Sequence, residues 1–418
     1  MNRTPHAARS AKVTAALLLS TTLAGAGLVG CSEGTPLSSP PEQFGYVLTS
    51  DLVTSNAGTG VGVATDAAKV SARLYPGAFI AGPRGQILPN GDLVTAKPAP
   101  GDPRRVDYTI NADATYSDSQ PVVCDDFLLT YQASKRPDLF GSDMPLFGQV
   151  QNVDCTAGAK QFSVQFADKR GARYRELFGP GTVLPSHIVS EKAGVDDVVV
   201  AIDSMDEQAL TDLGKAWQDV FNFETTDPSK VPTSGPYKIA AREDDGSLKL
   251  EKNPEWRGVE ATQSPVYLWP QDADVQQLAE DKQLSVVDIS RGAGDKPGKV
   301  VAELGVNGDD FRVVESNSER ADTLRLSDLG VLQAPATRRA LNACIDRQAI
   351  AQSVEEETGA PVQPTGLRVI GSMHPLRSYL DDINGRNTDV DTQQARTLLN
   401  GLTIRCLLYT SDAADERS

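Results

Sequence analysis

The chain has 418 residues, which is enough for two or three domains, and its 56 acidic and 40 basic side chains give a formal net charge of −16. This charge argues against nucleic-acid binding, because a protein that neutralises phosphates presents stripes of Lys and Arg, and the sequence shows none. Solubility explains the acidity without a cationic ligand.

Residues 1–30 are typical of a secretory leader. Three basic side chains, the last of them Lys12, precede a charge-free and largely apolar run at 13–29. The run is shorter and more polar than a spanning helix requires, so we expect it to be removed. It ends in Leu-Val-Gly before Cys31, which is similar to the bacterial lipobox, and we expect Cys31 to be lipidated. An unmodified secreted protein with a chance cysteine is the alternative.

Residues 31–44 are rich in Ser, Thr and Pro and are expected to form a flexible tether. Beyond the leader no other stretch reaches membrane-spanning length. We therefore expect the remainder to fold on the outer face of the cytoplasmic membrane, in the cell envelope.

Strand and helix patterns interleave through the rest of the sequence. Alternating polar and apolar residues predict strands over 105–110 and 160–166 and a hairpin over 237–241 and 247–251, and 46–87 reads as extended structure followed by a short helix. Helical patterns begin at Asp125 and cover 207–221, 335–355 and 391–400. The fold class is therefore α/β or mixed.

Cysteines predict one disulfide. Cys124 and Cys155 close a loop of about thirty residues, worth on the order of 3 kcal/mol in an oxidising compartment, and we predict that they pair. Cys344 lies in a helical pattern and is either a small buried residue or the partner of a cysteine outside this sequence. Metal binding is not expected, because the cysteines lack paired ligand spacing.

The last thirteen residues, 406–418, resemble a translated sequencing adapter rather than protein-coding sequence. We expect the authentic sequence to end near Arg405 and the natural protein to continue beyond it. A genuine short tail is the alternative.

Four segments carry a family resemblance. They read YSDSQPVVCDDF at 116–127, VLPSHI at 183–188, TSGPYKI followed by LKLEKNPEW within 233–256, and TRRALNACIDR at 337–347. In this order they resemble the extracytoplasmic solute-binding proteins of family 5, which include the dipeptide and oligopeptide binders of ABC importers. Tyr116, Ser119 and Cys124 replace the family's usual Trp, Gly and Ala.

Several of these motif residues are expected to be scaffold. The Gly-Pro-Tyr sequence at 235–237 supplies a tight turn before a strand, and Asn-Pro at 253–254 ends the hairpin. His187 is more readily explained as a structural hydrogen-bonding histidine than as a catalyst.

The resemblance implies an α/β fold of two hinged lobes, of the periplasmic-binding-protein type II-like class (cluster C), with an extra subdomain in the first lobe. The expected parts are the signal peptide at 1–30, the tether with lipidated Cys31 at 31–44, the first lobe at 45–265 with its extra subdomain at about 60–180, an incomplete second lobe at 266–405, and the non-native tail at 406–418.

The implied function is that of a monomeric binding lipoprotein, not an enzyme. It captures a small solute, with a peptide as first choice, by closure of the lobes and delivers it to an ABC permease and ATPase complex. No cofactor or metal is expected. Candidate ligand contacts are Ser55, Asn56 and Thr59 in a glycine-flanked loop and Trp269 near the expected hinge, with a scaffold role as the alternative for each.

Other functions stay open at this point. In peptide binders a segment after the fourth motif supplies the carboxylate that pairs with the ligand's amino group, and this sequence lacks it, so a nickel chelate, haem, a sugar or glutathione remains an alternative ligand. A sensing or structural envelope lipoprotein of the same fold is a further alternative. A hydrolase is disfavoured, because the sequence has no G-x-S-x-G elbow and only two histidines beyond the leader.

Overall fold

The computed structural model describes residues 43–82, 86–167, 173–289, 302, 304–306, 311, 314, 323–324, 326–358, 362–367, 377–384 and 389–400. The leader, Cys31, nearly all of the tether and the 406–418 tail lie outside the described residues. Among the described residues, no helix combines the length and the apolar character that a membrane span requires.

The described α-helices are α1 (Gly60–Ala64), α2 (Ala67–Ser71), α3 (Cys124–Lys135), α4 (Pro137–Phe140), α5 (Ser186–Ala193), α6 (Val198–Asp203), α7 (Glu207–Asp219), α8 (Val275–Glu280), α9 (Pro335–Cys344), α10 (Arg347–Thr358), α11 (Asp381–Asn384) and α12 (Thr392–Leu399). The described strands are β1 (Phe44–Val47), β2 (Phe79–Ala81), β3 (Ile87–Pro89), β4 (Val94–Pro98), β5 (Arg105–Ile110), β6 (Val150–Cys155), β7 (Gln161–Phe166), β8 (Tyr237–Arg242), β9 (Leu248–Lys252), β10 (Val266–Trp269) and β11 (Val286–Val287).

One sheet has five strands in the order β11-β1-β10-β9-β8. β1 runs parallel to β10 and to β11, whereas β8, β9 and β10 are antiparallel neighbours. Leu248 and Leu250 are buried while Lys249 between them is partly exposed, which is the alternation that predicts the β8–β9 hairpin. β10, which begins at Val266, belongs to this sheet because it pairs with both β1 and β9. The boundary between the lobes after residue 265, which the family resemblance implies, stays a prediction.

A second sheet is antiparallel, with the strand order β4-β5-β7-β6. Along β5 the side chains of Val106, Tyr108 and Ile110 are buried, so one face of this strand belongs to the core. Phe127 of α3 packs there against the rings of Phe162 and Phe178, with centroid separations of 4.7 and 5.1 Å. These residues belong to one continuous apolar core that also includes residues of the five-stranded sheet.

Helix α7 joins this core through one face. Leu210, Leu213 and Trp217 are all fully buried, three to four residues apart, as an amphipathic helix requires. The helix begins at Asp206, whose carboxylate accepts hydrogen bonds from the backbone N–H groups of Gln208 and Ala209. The helix predicted over 207–221 is confirmed.

The helix predicted over 335–355 is wrong as a single element. The chain leaves the helix at Ile345, which has an extended backbone, and a new helix starts two residues later. The Asp346 carboxylate accepts the N–H of Ala349 at 2.9 Å, so this residue caps the second helix instead of continuing the first. α9 packs against α12, and their small core consists of Ala340, Ala343 and Ala395.

Candidate functional site

The three loop residues predicted as ligand contacts are buried. Asn56 is fully buried; its Nδ2 donates to the carbonyl of Trp217 at 2.8 Å, and its Oδ1 accepts the N–H of Gly58 at 3.0 Å. Thr59 Oγ1 accepts the N–H of Gly62 at 2.9 Å and caps α1, while the N–H of Ser55 donates to the Phe221 carbonyl at 3.0 Å. These bonds attach the loop to α7 and to the turn that follows it. Contact between these residues and a ligand stays a prediction.

Trp269 is also buried, at the end of β10. Its ring stacks on Tyr267 with a centroid separation of 5.5 Å, and its Nε1 donates to Asp245 Oδ2 at 3.3 Å. Together with Val47 and Leu284 it forms a small apolar cluster. A role of Trp269 in binding likewise stays a prediction.

Two of the family-like segments meet at Asp126. This carboxylate is almost completely buried and accepts hydrogen bonds from the N–H of Val123 at 2.9 Å, and from the N–H and the hydroxyl of Ser186 at 2.8 and 2.6 Å. Burial raises the pKa of Asp126 above its usual value, although these hydrogen bonds oppose the shift. Asp126 therefore joins the start of α3 to the start of α5.

The histidine of the second segment, His187, contacts two residues of the first segment. His187 Nε2 lies 2.9 Å from Asp118 Oδ2, and the His187 ring lies 5.2 Å from the ring of Tyr116. Both neighbours belong to the first segment, so this contact joins the same two segments as Asp126 does. The geometry supports the scaffold role predicted for His187.

The third segment is a further structural joint. Asn253 Nδ2 donates to the carbonyls of Thr233 and Gly235 at 3.2 and 2.9 Å, which ties the end of the β8–β9 hairpin to the turn before it. A side chain at Gly235 would come within 2.5 Å of the Arg73 carbonyl, so the close approach of the two backbones requires glycine.

A disulfide joins Cys124 to Cys155 and fastens the start of α3 to the end of β6. Asp125 beside it accepts the N–H of Gly158 at 2.8 Å, and burial raises the pKa of Asp125. These three side chains are the one group of Cys, Asp, Glu or His in the described part of the chain that is close enough to share a metal ion. Because both sulfurs are bonded to each other, the group offers no thiolate to a metal.

A polar group that sequence reasoning missed lies at the carboxyl ends of two parallel strands. It comprises Tyr46, Asp66, Lys69, Arg73 and Asp288, which we call the strand-end cluster. Asp288 directly follows β11 and accepts hydrogen bonds from the Tyr46 hydroxyl at 3.1 Å and from Lys69 Nζ at 2.5 Å. Lys69 also pairs with Asp66 at 3.2 Å, and the Arg73 guanidinium lies 5.4 Å from the centre of the Tyr46 ring.

The two cations of the strand-end cluster differ in their partners. Burial lowers the pKa of Lys69, but hydrogen bonds and charge from Asp288 and Asp66 outweigh it, and the net shift is upward. Burial lowers the pKa of Arg73, and none of the described carboxylates opposes that shift. Burial, followed by the charge of Asp288, raises the pKa of Tyr46.

One signal in the sequence could have indicated this cluster. Lys69 and Arg73 stand four residues apart, and the Arg73 guanidinium donates to the Lys69 carbonyl at 3.0 Å. In a helix such spacing places two side chains on one face, although Arg73 lies two residues beyond the end of α2. Their proximity to Tyr46 and Asp288 depends on the pairing of β1 with β11, which connects residues more than 200 positions apart.

Comparison with known sequences identifies the family. The sequence profile described as "Bacterial extracellular solute-binding proteins, family 5 Middle" matches residues 89–400. The chain belongs to this family. Family 5 proteins bind solutes and are not enzymes.

Mycobacterial lipoproteins are among the relatives of this family 5 chain. It is 31% identical over 357 residues to an uncharacterized lipoprotein of Mycobacterium tuberculosis (strain ATCC 25618 / H37Rv), covering 84% of this chain and 60% of that protein. Identity to an uncharacterized lipoprotein of Mycobacterium leprae (strain TN) is 30% over 343 residues, covering 81% of this chain and 59% of that protein. The chain thus spans roughly 60% of the length of these relatives.

Solved structures share the family 5 fold. The periplasmic EDTA-binding protein EppA matches with a TM-score of 0.54 and 17% identity, covering 90% of this chain and 67% of that chain. The oligopeptide-binding protein AppA from Bacillus subtilis, in complex with a nonapeptide, matches with a TM-score of 0.50 and 15% identity, covering 86% and 64%. The likeness establishes the fold alone, and it confirms the predicted fold class, the α/β fold of the two-lobed family 5 solute-binding proteins.

Proposed function

We propose that the chain is the solute-binding lipoprotein of an ABC importer, which captures a small solute and passes it to a permease and ATPase complex. The family match over residues 89–400 carries this proposal. The strand-end cluster supports it, because ligands of open α/β sheets sit beyond the carboxyl ends of parallel strands. The protein acts as a monomer and releases its solute unaltered.

The proposed location is the outer face of the cytoplasmic membrane, with acyl chains on Cys31 as the anchor. The lipobox-like sequence before Cys31 and the lipoprotein names of the relatives support it. In the native host a Cys31→Ser variant is expected to leave the membrane fraction, as measured by immunoblotting of separated fractions. Equal retention of the variant and the unsubstituted chain in the membrane would contradict the anchor.

Capture requires a conformational change that depends on the solute. A ligand that makes contacts in the closed state and not in the open one shifts the equilibrium between the two states toward closure. Each residue that touches the solute then contributes to the binding free energy through the contacts it makes in the closed state. No chemical step is needed. This matches a family of binding proteins.

A peptide is the proposed ligand, on the strength of the four motif segments and the oligopeptide bound by AppA. The fold likeness to an EDTA-binding protein makes a metal chelate the second candidate. Peptides and chelators of the EDTA type both carry carboxylates, so this chemistry is common to the two candidates.

Thermal unfolding of the purified full chain tests the proposal, after unfolding and refolding to remove carried-over ligand. A peptide that binds the folded state raises the midpoint, and the rise grows with the logarithm of the peptide concentration. A shift with a nickel chelate, haem, a sugar or glutathione, and none with peptides, would retain the binding function and replace the ligand. No shift with any of these compounds would contradict solute capture and favour a sensing or structural lipoprotein.

A further inference from the structure

Arg73 differs from two other described arginines, Arg136 and Arg242, whose side chains are 22% and 30% exposed. Arg136 bonds to Asp138 and Glu207, and Arg242 bonds to Glu224, so each has a carboxylate at hydrogen-bonding distance. The Arg73 side chain is partly buried, and it forms no ion pair with any of the described residues.

The donors of Arg73 are mostly unused. One of its five N–H groups donates to the Lys69 carbonyl at 3.0 Å, and its guanidinium lies over the Tyr46 ring. No further acceptor for Arg73 occurs among the residues that the structure describes. The described groups that raise the pKa of Arg73 are Tyr46 and Tyr237, and neither is a carboxylate.

The two carboxylates near Arg73 pair with Lys69 instead. Asp288 accepts from Lys69 and from the Tyr46 hydroxyl, and Asp66 pairs with Lys69. Lys69 therefore has two carboxylate partners, while Arg73 four residues later has none in the part of the chain that the structure describes. A partly buried cation without a counter-ion lowers stability until an anion reaches it.

The geometry suits a planar anion. The guanidinium offers parallel N–H donors that match the two oxygens of a carboxylate, and it makes a cation–π contact with the Tyr46 ring, whose centre lies 5.4 Å away. The position is also the one where open α/β sheets bind ligands, since Tyr46 lies near the carboxyl end of β1 and Asp288 follows β11.

We propose that Arg73 binds a carboxylate of the captured solute, so that the ligand is an acidic or zwitterionic molecule with a free carboxyl group. This inference rests on the proposed function and narrows its substrate class. Neutral sugars and C-terminally amidated peptides are poor ligands on this account, because they leave the guanidinium without its anion.

An Arg73→Met variant of the full chain tests the proposal, with Arg242→Met as the matched control. The probes are a tripeptide mixture with free C-termini and the same mixture amidated, measured by thermal shift. The unsubstituted chain and the control are expected to favour the free acids by about 10- to 100-fold in apparent affinity, as a charge-assisted bond to carboxylate supplies. Arg73→Met is expected to lose that preference.

The stability of the variants without ligand distinguishes a binding role of Arg73 from a purely structural one. Without ligand, Arg73→Met is expected to be as stable as the unsubstituted chain or more stable, because it removes an uncompensated cation. Arg242→Met, which breaks a paired contact, is expected to be less stable. If Arg73→Met does not fold, Arg73→Lys keeps the charge without the paired donors and is expected to lose most of the preference. An unchanged preference in the folded Met or Lys variant overturns the proposal.

A second probe separates this proposal from the proposed function. If no peptide binds the unsubstituted chain, peptide capture fails, and sodium acetate is then compared with sodium chloride at constant ionic strength. Acetate that stabilises the unsubstituted chain and the Arg242→Met control, but not Arg73→Met, supports the carboxylate site on its own. Equal effects of acetate on all three proteins overturn it.

Discussion

Residues 43–289 and residues 326–400 of the chain bury very different kinds of side chain. The first region has a continuous core of aromatic and branched residues, among them Phe127, Phe178 and Trp217, all fully buried. The described core of the second region consists of three alanines, and Leu329 and Val331 there are 75% and 65% exposed. Because hydrophobic stabilisation scales with the apolar area buried, the first region is expected to dominate cooperative unfolding.

The largest expected effect comes from the aromatic core. Phe127→Ala removes a fully buried ring and is expected to lower the free energy of unfolding by about 3–5 kcal/mol, measured by urea denaturation. Leu398→Ala, the matched change in the partly buried surface of α12, is expected to cost about 1 kcal/mol or less. Equal losses from the two variants would remove the distinction between the regions.

The next effect concerns the covalent link of the first region. A chain with both Cys124→Ser and Cys155→Ser loses a cross-link across 31 residues and is expected to lose about 3 kcal/mol, because its unfolded state gains conformational freedom. Reductant is expected to destabilise the unsubstituted chain but not the double variant. Recovery of Cys124 and Cys155 on separate free peptides, in a digest made without reduction, would contradict the disulfide.

The smallest effect tests the buried carboxylate that joins α3 to α5. Asp126→Asn places an amide N–H against a backbone N–H, either that of Val123 or that of Ser186, and is expected to cost about 1–3 kcal/mol. Burial raises the pKa of Asp126, so its stabilising contribution is complete below about pH 4, the unfolded value, and is lost as pH rises through the raised pKa. The difference in the free energy of unfolding between the unsubstituted chain and the Asp126→Asn variant is therefore expected to be largest at acid pH.

An exposed aspartate provides the control for that pH dependence. A hydrogen bond from the Ser229 hydroxyl lowers the pKa of Asp227, so its contribution is present above the unfolded value and lost as pH falls. Asp227→Asn is expected to show a pH dependence of opposite sign, again from urea denaturation. The same trend in both variants would contradict the role assigned to burial.

The sequence predicted the fold better where a pattern is local. The strands at 105–110 and 160–166, the hairpin at 237–251 and the helices starting near 125, 207 and 391 are confirmed, with ends that differ by a few residues. Each follows from side-chain alternation or from an acidic cap within a few residues. The strands β4, β6 and β10 were missed, because short strands whose burial pattern depends on neighbouring sheets give a weak periodic signal.

The candidate site could be predicted only in part. Asn56 and Thr59 stand out in the sequence as polar residues of a glycine-flanked loop, but the sequence does not show that their hydrogen bonds are made to α7 and α1. The break at Asp346 had a local signal, since aspartate is a strong helix cap, but the apolar spacing around it favoured one long helix. The strand-end cluster depends on long-range pairing, which no local pattern contains.

The central claim is that the protein holds a solute and releases it unchanged. Native mass spectrometry of the purified full chain, followed by denaturation and mass analysis of the released compound, tests it most directly. The account predicts one small molecule per chain, bearing a carboxylate and recovered with the mass of the compound supplied. A ligand recovered in a chemically altered form, or a chain that stays unliganded with every peptide and chelate offered, would contradict it.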